Sequence, residues 1–329
     1  MMYSIVIPVY RNEASLPDLL QTLENFRVRL KHPLEVVFAI DGSPDGSLRF
    51  LRSQLPGCRF QSRIVVLSRN FGSFAAIRAG MQNAEGDFIA VMAADLQEPM
   101  QLIFDFFSTL EQGGTDVVIG KRMGRKDPWL SRTLAHLFWS QYRRFVQKEM
   151  PEGGADVFAC NRRFRDELLA LGESNTSLVG LALWLGFRRE FVPYEREERQ
   201  YGVSAWTFLR KFRYLMDSVF AFSDLPISLL LATGFLGMAL ALVLGTAALI
   251  AKLTGAIPVS GYAATILVIL FFGASQSFAL GAIGSYVWRG FENTKKRPSF
   301  LVQETFEIER KANESLRSST SSLRDELHR

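Results

Sequence analysis

Residues 88–103 read FIAVMAADLQEPMQLI, an apolar run that ends in an acidic turn. Phe88 to Met92 carries no charge and matches a strand buried on both faces, while Asp95, Gln97 and Glu98 follow directly where such a strand would emerge. Four further short, mostly apolar runs share the pattern: YSIVIPVY (3–10), LEVVFAI (34–40), RIVVLS (63–68) and DVVIGK (116–121). Helix-like stretches separate them, for example Leu16 to Leu30 and Ser73 to Ala84. Alternation at this spacing predicts an α/β domain over residues 1–126 with a mainly parallel sheet. Ligands of such sheets bind beyond the carboxyl ends of the strands. The candidate ligand-binding segments are therefore Pro8 to Glu13, Asp41 to Asp45, Arg69 to Gly72, Asp95 to Glu98, and Lys121 to Arg125.

The remainder of the 329 residues has a different character. Residues 127–223 hold two basic amphipathic stretches rich in Trp and Phe, WLSRTLAHLFWSQYRRFVQKEM (129–150) and SAWTFLRKFRYLMDSVFAFS (204–223). Such helices suit a membrane interface, although packing onto the sheet domain would use the same face. Apolar residues make up 48% of the chain, and the excess collects in two runs without Asp, Glu or Arg: Leu225 to Ala251 and Gly261 to Trp288. Each exceeds the roughly 20 residues a helix needs to cross a bilayer, so two transmembrane helices are expected within 224–290. Residues 291–329 form a charged C-terminal tail, Ser-rich after Phe306.

The net charge of +5 does not point to nucleic acid, because basic residues flank the apolar runs: RKFR (210–213) before the first, and Arg289, Lys295, Lys296 and Arg297 after the second. The intervening KLTGAIPVSGY (252–262) carries only Lys252. The positive-inside rule then puts both termini and the α/β domain in the cytoplasm. The opening MMYSIVIPVYRNEAS has no basic region leading into an apolar one, so no secretory signal is expected. Cys58 and Cys160 have neither metal nor redox spacing, and three scattered histidines give no zinc site.

The strand-end residues suit a nucleoside diphosphate. Asp41 in IDGSPDGS (40–47) can accept from a base or ribose, and Arg69 precedes a turn into a helix whose first amides favour anions. Lys121, Arg122, Arg125 and Lys126 in GKRMGRK (120–126) supply charge for phosphates, although a solvated loop or a lipid contact would look alike. Asp95 and Gln97 place two hard oxygen donors two residues apart, as Mg²⁺ or Mn²⁺ prefers. The competing reading makes Asp95 a helix N-cap before Pro99.

In order, SIVIPVYRNEASL (4–16), DGSPDGS (41–47), LSRNFGSFAAIRAG (67–80), GDFIAVMAADLQEP (86–99) and VIGKR (118–122) resemble the catalytic domain of family-two glycosyltransferases. Two later pieces, GFRREFVPYEREERQYGVSAW (186–206) and GSYVWRGFENTKKRPSFLV (284–302), are similar to the polyprenyl-phosphate branch, with its bactoprenol glucosyltransferases and dolichol-phosphate mannose synthases. The resemblance implies a GT-A (Rossmann-like) nucleotide-sugar-binding fold. It also implies inverting transfer of one sugar from a nucleotide sugar, a UDP-sugar, to undecaprenyl phosphate at the bacterial inner membrane. Matching positions place the nucleobase and ribose near Pro8, Tyr10, Glu13 and Asp41, the metal on Asp95 and Gln97, and the diphosphate near Arg122. Asp95, Asp156 and Arg122 carry the catalytic expectation, and Arg199 and Ser204 the acceptor phosphate. A homo-oligomer is compatible by resemblance only.

Where family patterns carry acids, this chain has Ile40 and Ala93. A silent nucleotide-sugar-binding scaffold of the same fold is therefore the alternative from another class. A processive synthase is disfavoured: QYRRF (141–145) ends in Phe145 and two spans are too few for a polymer channel.

Overall fold

The computed structural model describes residues 1–123, 140, 143, 149–151, 154–155, 157–173, 177–197, 216–223, 225–254 and 262–308. Its centre is one eight-stranded sheet. The strands are β1 (Tyr3–Val9), β2 (Leu34–Ile40), β3 (Gln61–Leu67), β4 (Phe88–Val91), β5 (Val117–Arg122), β6 (Phe158–Asn161), β7 (Arg189–Tyr194) and β8 (Val302–Ile308). They lie in the order β7-β5-β6-β4-β1-β2-β3-β8. β1 is parallel to both β2 and β4, with Tyr3 opposite Leu34 and Phe88. β2 is parallel to β3, and β5 to β7. β6 inserts antiparallel between β4 and β5, and β8 runs antiparallel along β3.

The central strands are mostly apolar because both faces are covered. On one side α1 (Leu16–Arg29) and α4 (Met100–Glu111) join β-strand residues such as Ile5, Ile7 and Phe38 in a core that also holds Leu19, Leu23, Phe26, Phe106 and Phe107. α2 (Ser47–Gln54) completes that side through Leu51. On the other side Val6, Val37, Val65, Ile89 and Val91 meet α3 (Ser73–Gln82), α5 (Arg162–Ala170) and α6 (Leu178–Trp184). Gly80 of α3 lets that helix close onto β1, since a Cβ there would run into Val6. Gly80→Val is therefore expected to destabilise the domain by about 1–3 kcal/mol through overpacking, read as a lower melting temperature at unchanged secondary structure.

The sheet draws three strands from beyond residue 126, where sequence patterning ends it. β6 and β7 belong to the stretch read as acceptor side, and β8 to the stretch read as tail. β8 is held by more than its ladder: Arg63 donates to Glu307 at 3.0 Å, and Arg52 lies 4.4 Å from the centre of the Phe306 ring.

After α6 the residues 216–222 are helical, then come α7 (Leu225–Leu253) and α8 (Tyr262–Thr294). Among the described residues, one helical stretch, Leu225–Leu244, is long and apolar enough to cross a membrane. Its large side chains point outward: Leu231, Phe235, Leu236 and Leu242 are each about 70% exposed. Phe271 and Phe278 of α8 are exposed as well. Most of the first amphipathic stretch, 129–150, and residues 204–215 of the second lie outside the described residues. The described end of the second stretch bridges domain and helices. A Cβ on Gly180 of α6 would strike the Phe222 ring, Phe220 meets Tyr286 edge-on, and Arg289 donates to Asp217 at 2.6 Å.

Candidate active site

The carboxyl ends of β1 and β2 carry two loops that are stitched together. The Arg11 amide donates to Ser43 Oγ at 2.7 Å, the Glu13 amide to Asp45 Oδ2 at 3.1 Å, and the Gly46 amide to Glu13 Oε2 at 2.7 Å. Asp45 is a hub of this seam. Burial raises its carboxyl, but the Ser43 and Ser47 hydroxyls and the amides of Glu13 and Ser47 outweigh that and leave it below the usual range. Glu13 therefore orders the loops around Tyr10, whose half-buried ring sits beside the Arg11 guanidinium, 5.4 Å away.

Asp41 lies one residue past β2 and is buried. Its Oδ1 accepts from the Phe71 amide at 2.7 Å and its Oδ2 from the Gly72 amide at 2.9 Å. Burial pushes its carboxyl up, and the two amides and the nearby Arg69 charge offset only part of that. Gly42 turns here at φ +58°, and a Cβ on it would sit 2.5 Å from the backbone of Arg69 and Asn70. Both oxygens expected to meet a base or ribose thus hold the 69–72 loop against the sheet. Arg69 itself is exposed, its guanidinium 4.1 Å above the Phe71 ring.

The turn after β4 is built differently. Ser15 Oγ donates to Ala94 O at 2.8 Å, Leu96 takes a left-handed φ of 56°, and the Gln97 amide approaches Asp95 Oδ1 at 3.4 Å. Asp95 and Gln97 are each 8% exposed and Glu98 2%. α4 begins at Met100 with Pro99 in the capping position and no side-chain cap. The N-cap reading of Asp95 is thereby removed. Glu98 folds back: its Oε2 accepts from the Ala93 amide at 3.1 Å. Burial drives its carboxyl up; the Arg196 and Arg122 charges oppose this, and Asp95 adds to it.

Arg122, at the end of β5, is half-buried and faces Glu98 and Tyr194 electrostatically. The chain leaving β7 then lies across the acidic turn. Glu197 N donates to Gln97 O at 2.9 Å, and Gln97 Nε2 donates to Glu197 O at 3.2 Å. Arg196 donates to Gln97 Oε1 at 2.7 Å and stands 3.9 Å from Glu98 Oε1. Sequence reasoning missed this strap, whose one signal is the charged string EREER (195–199) placed directly after an apolar stretch.

The structure therefore brings Asp95, Gln97, Glu98, Arg122, Tyr194 and Arg196 together. Asp156, Arg199, Ser204, Arg125 and Lys126 lie outside the described residues. Among the described residues no group of three metal-binding side chains converges. One carboxylate and one amide oxygen are the donor set on offer. This fits a hard divalent ion whose remaining ligands are phosphates and water, not an ion held by protein alone.

Residues 4–171 match the family description "Glycosyl transferase family 2". The chain belongs to that family. This family 2 glycosyltransferase is 33% identical to the uncharacterized glycosyltransferase YkcC of Bacillus subtilis, over 94% of its own length and 95% of the relative's. It is 32% identical to the uncharacterized glycosyltransferase sll0501 of Synechocystis, covering 93% and 96%. With the SfII prophage-derived bactoprenol glucosyl transferase of Shigella flexneri it shares 28% identity over 93% of its length and 98% of that protein's. Among solved structures, the mannosyltransferase PcManGT from Pyrobaculum calidifontis in complex with GDP-Man and Mn²⁺ aligns over 87% of both chains. At 18% identity and a TM-score of 0.46, that overlap is too loose to transfer its ligands.

Proposed function

We propose that this glycosyltransferase moves a single sugar from a nucleotide sugar, a UDP-sugar, to a polyprenyl phosphate at the cytoplasmic face of a bacterial inner membrane, with inversion. The observation that carries this reading is the alignment with a bactoprenol glucosyl transferase over 93% of this chain and 98% of that one. It spans the long apolar helices as well as the sheet domain.

In this reading the seam between the first two strand-end loops forms the nucleoside pocket, with Pro8 and Tyr10 against the base and Glu13 holding the loop shape. Arg69 and Arg122 face the diphosphate and stabilise the charge that grows as the nucleotide leaves. Asp95 and Gln97 would hold Mg²⁺ or Mn²⁺, which supplies further charge neutralisation when bound. The acceptor needs no strong base, since a phosphate monoester with a second pKa of about 6 is mostly dianionic at pH 7. Asp156 is then an organising group, with Arg199 and Ser204 on the acceptor phosphate.

The test uses the detergent-solubilised chain with undecaprenyl phosphate, Mg²⁺ or Mn²⁺, and a panel of radiolabelled nucleotide sugars. Label should pass into the organic phase with one donor. Donor binding without labelled lipid from any of them would overturn the reading.

Membrane placement gives a second prediction. α7 and α8 both cross, with residue 258 outside, because the basic flanks sit at the opposite ends. Pro258→Cys should react with an impermeant maleimide in spheroplasts, and labelling only after lysis would reverse the orientation. The native thiols compete poorly, since burial pushes Cys58 up to about 11 and raises fully buried Cys160 too.

A further inference from the structure

The turn that would receive the donor diphosphate already faces two fixed cations. Buried Glu98 sits beside Asp95 and faces two half-buried guanidiniums, Arg196 and Arg122. Arg196 is the intimate partner, because its guanidinium donates to Gln97 Oε1 at 2.7 Å and lies 3.9 Å from Glu98 Oε1. Its backbone cannot drift, since Glu197 exchanges two hydrogen bonds with Gln97 at 2.9 and 3.2 Å. Glu98, the neighbour that could replace an acid at position 93, is directed instead at the Ala93 amide and toward Arg196.

We propose that Arg196 is a built-in counter-cation, a positioning residue that keeps a divalent ion out of this turn until a nucleoside diphosphate arrives. Metal and diphosphate then bind together and not independently. The proposal rests on reading Asp95 and Gln97 as the metal ligands. A carboxamide oxygen accepting from a guanidinium is a poor ligand for a second cation, because like charges are brought close where little water screens them. A diphosphate changes the balance: its oxygens give the guanidinium a charge-assisted partner and supply the ion's missing ligands. Linkage makes the effect mutual, so the diphosphate raises metal affinity by the factor by which metal raises diphosphate affinity.

Mn²⁺ binding to the full-length chain in detergent tests this directly, by loss of the free-ion resonance signal with and without saturating UDP. The wild type should bind Mn²⁺ about tenfold or more tightly with UDP present. Arg196→Met should bind Mn²⁺ alone about tenfold more tightly than wild type does, with a smaller gain from UDP. Arg196→Gln removes the charge but keeps a donor for Gln97 and Glu98; it is read the same way should the Met variant not fold. Equal wild-type affinity in both arms, or an unchanged affinity for Mn²⁺ alone in the folded variant, overturns the counter-cation. No Mn²⁺ binding in either arm overturns the metal role of Asp95 and Gln97, and the proposal with it.

Discussion

Asp95→Ala is expected to lower sugar transfer by at least about a hundredfold in kcat/KM, with the fold intact. Outer-shell partners of a bound metal already cost about 10–100-fold when removed, so a direct ligand should reach at least the upper end. The chain has little to fall back on. Position 93 is alanine, and Glu98 is engaged by the Ala93 amide and faces Arg196. Nor does Asp95 cap α4, whose N-terminus at Pro99 has no side-chain cap, so the loss would not follow from a melted helix. The measurement is labelled lipid formed per minute alongside the circular dichroism of the variant. EDTA should silence the wild type to a similar degree. Full activity in chelator would refute a metal at Asp95 and Gln97.

The second large effect concerns stability. Asp41→Ala removes the acceptor of two part-buried amides, Phe71 and Gly72, bonded at 2.7 and 2.9 Å. Each unsatisfied amide costs about 1–3 kcal/mol, and relief from burying a carboxylate returns part of that. A net loss of about 2–4 kcal/mol is expected. In a chain of this size it lowers the melting temperature by about 3–6 °C. The 69–72 loop should loosen with it, so UDP affinity should fall in the same variant at a temperature where it remains folded. A variant that melts with the wild type would show that Asp41 does not hold the loop.

The central strands were legible because burial on both faces leaves them mostly apolar: β1 to β5 each hold a short apolar run, with a few polar residues such as Glu35 and Arg63. The added strands gave no such signal. β6 has four residues, FACN, and β8, VQETFEI, lies at an edge with exposed side chains. β7, REFVPY, mixes charge with apolar residues and carries a proline, as an edge strand tolerates. The site divides in the same way. Asp95, Gln97 and Arg122 are found from their place at strand ends, since topology fixes where those ends gather. Arg196 reaches the same turn from nearly one hundred residues away in sequence, and only tertiary pairing of β7 with β5 brings it there. The hold of Asp41 on the Phe71 and Gly72 amides was not legible, because a carboxylate that binds a ligand and one that binds its own backbone look identical in a string of letters.

The position of β8 has a consequence for how the protein is made. The strand that covers β3 leaves the ribosome after both long apolar helices, more than 230 residues behind the strand it pairs with. Until then the β3 edge stays open, and Arg63 lacks its partner Glu307. Completion of the sheet therefore waits until both long apolar helices have been made. Until β8 docks, the chain carries an unpaired strand edge of the kind that pairs with other chains.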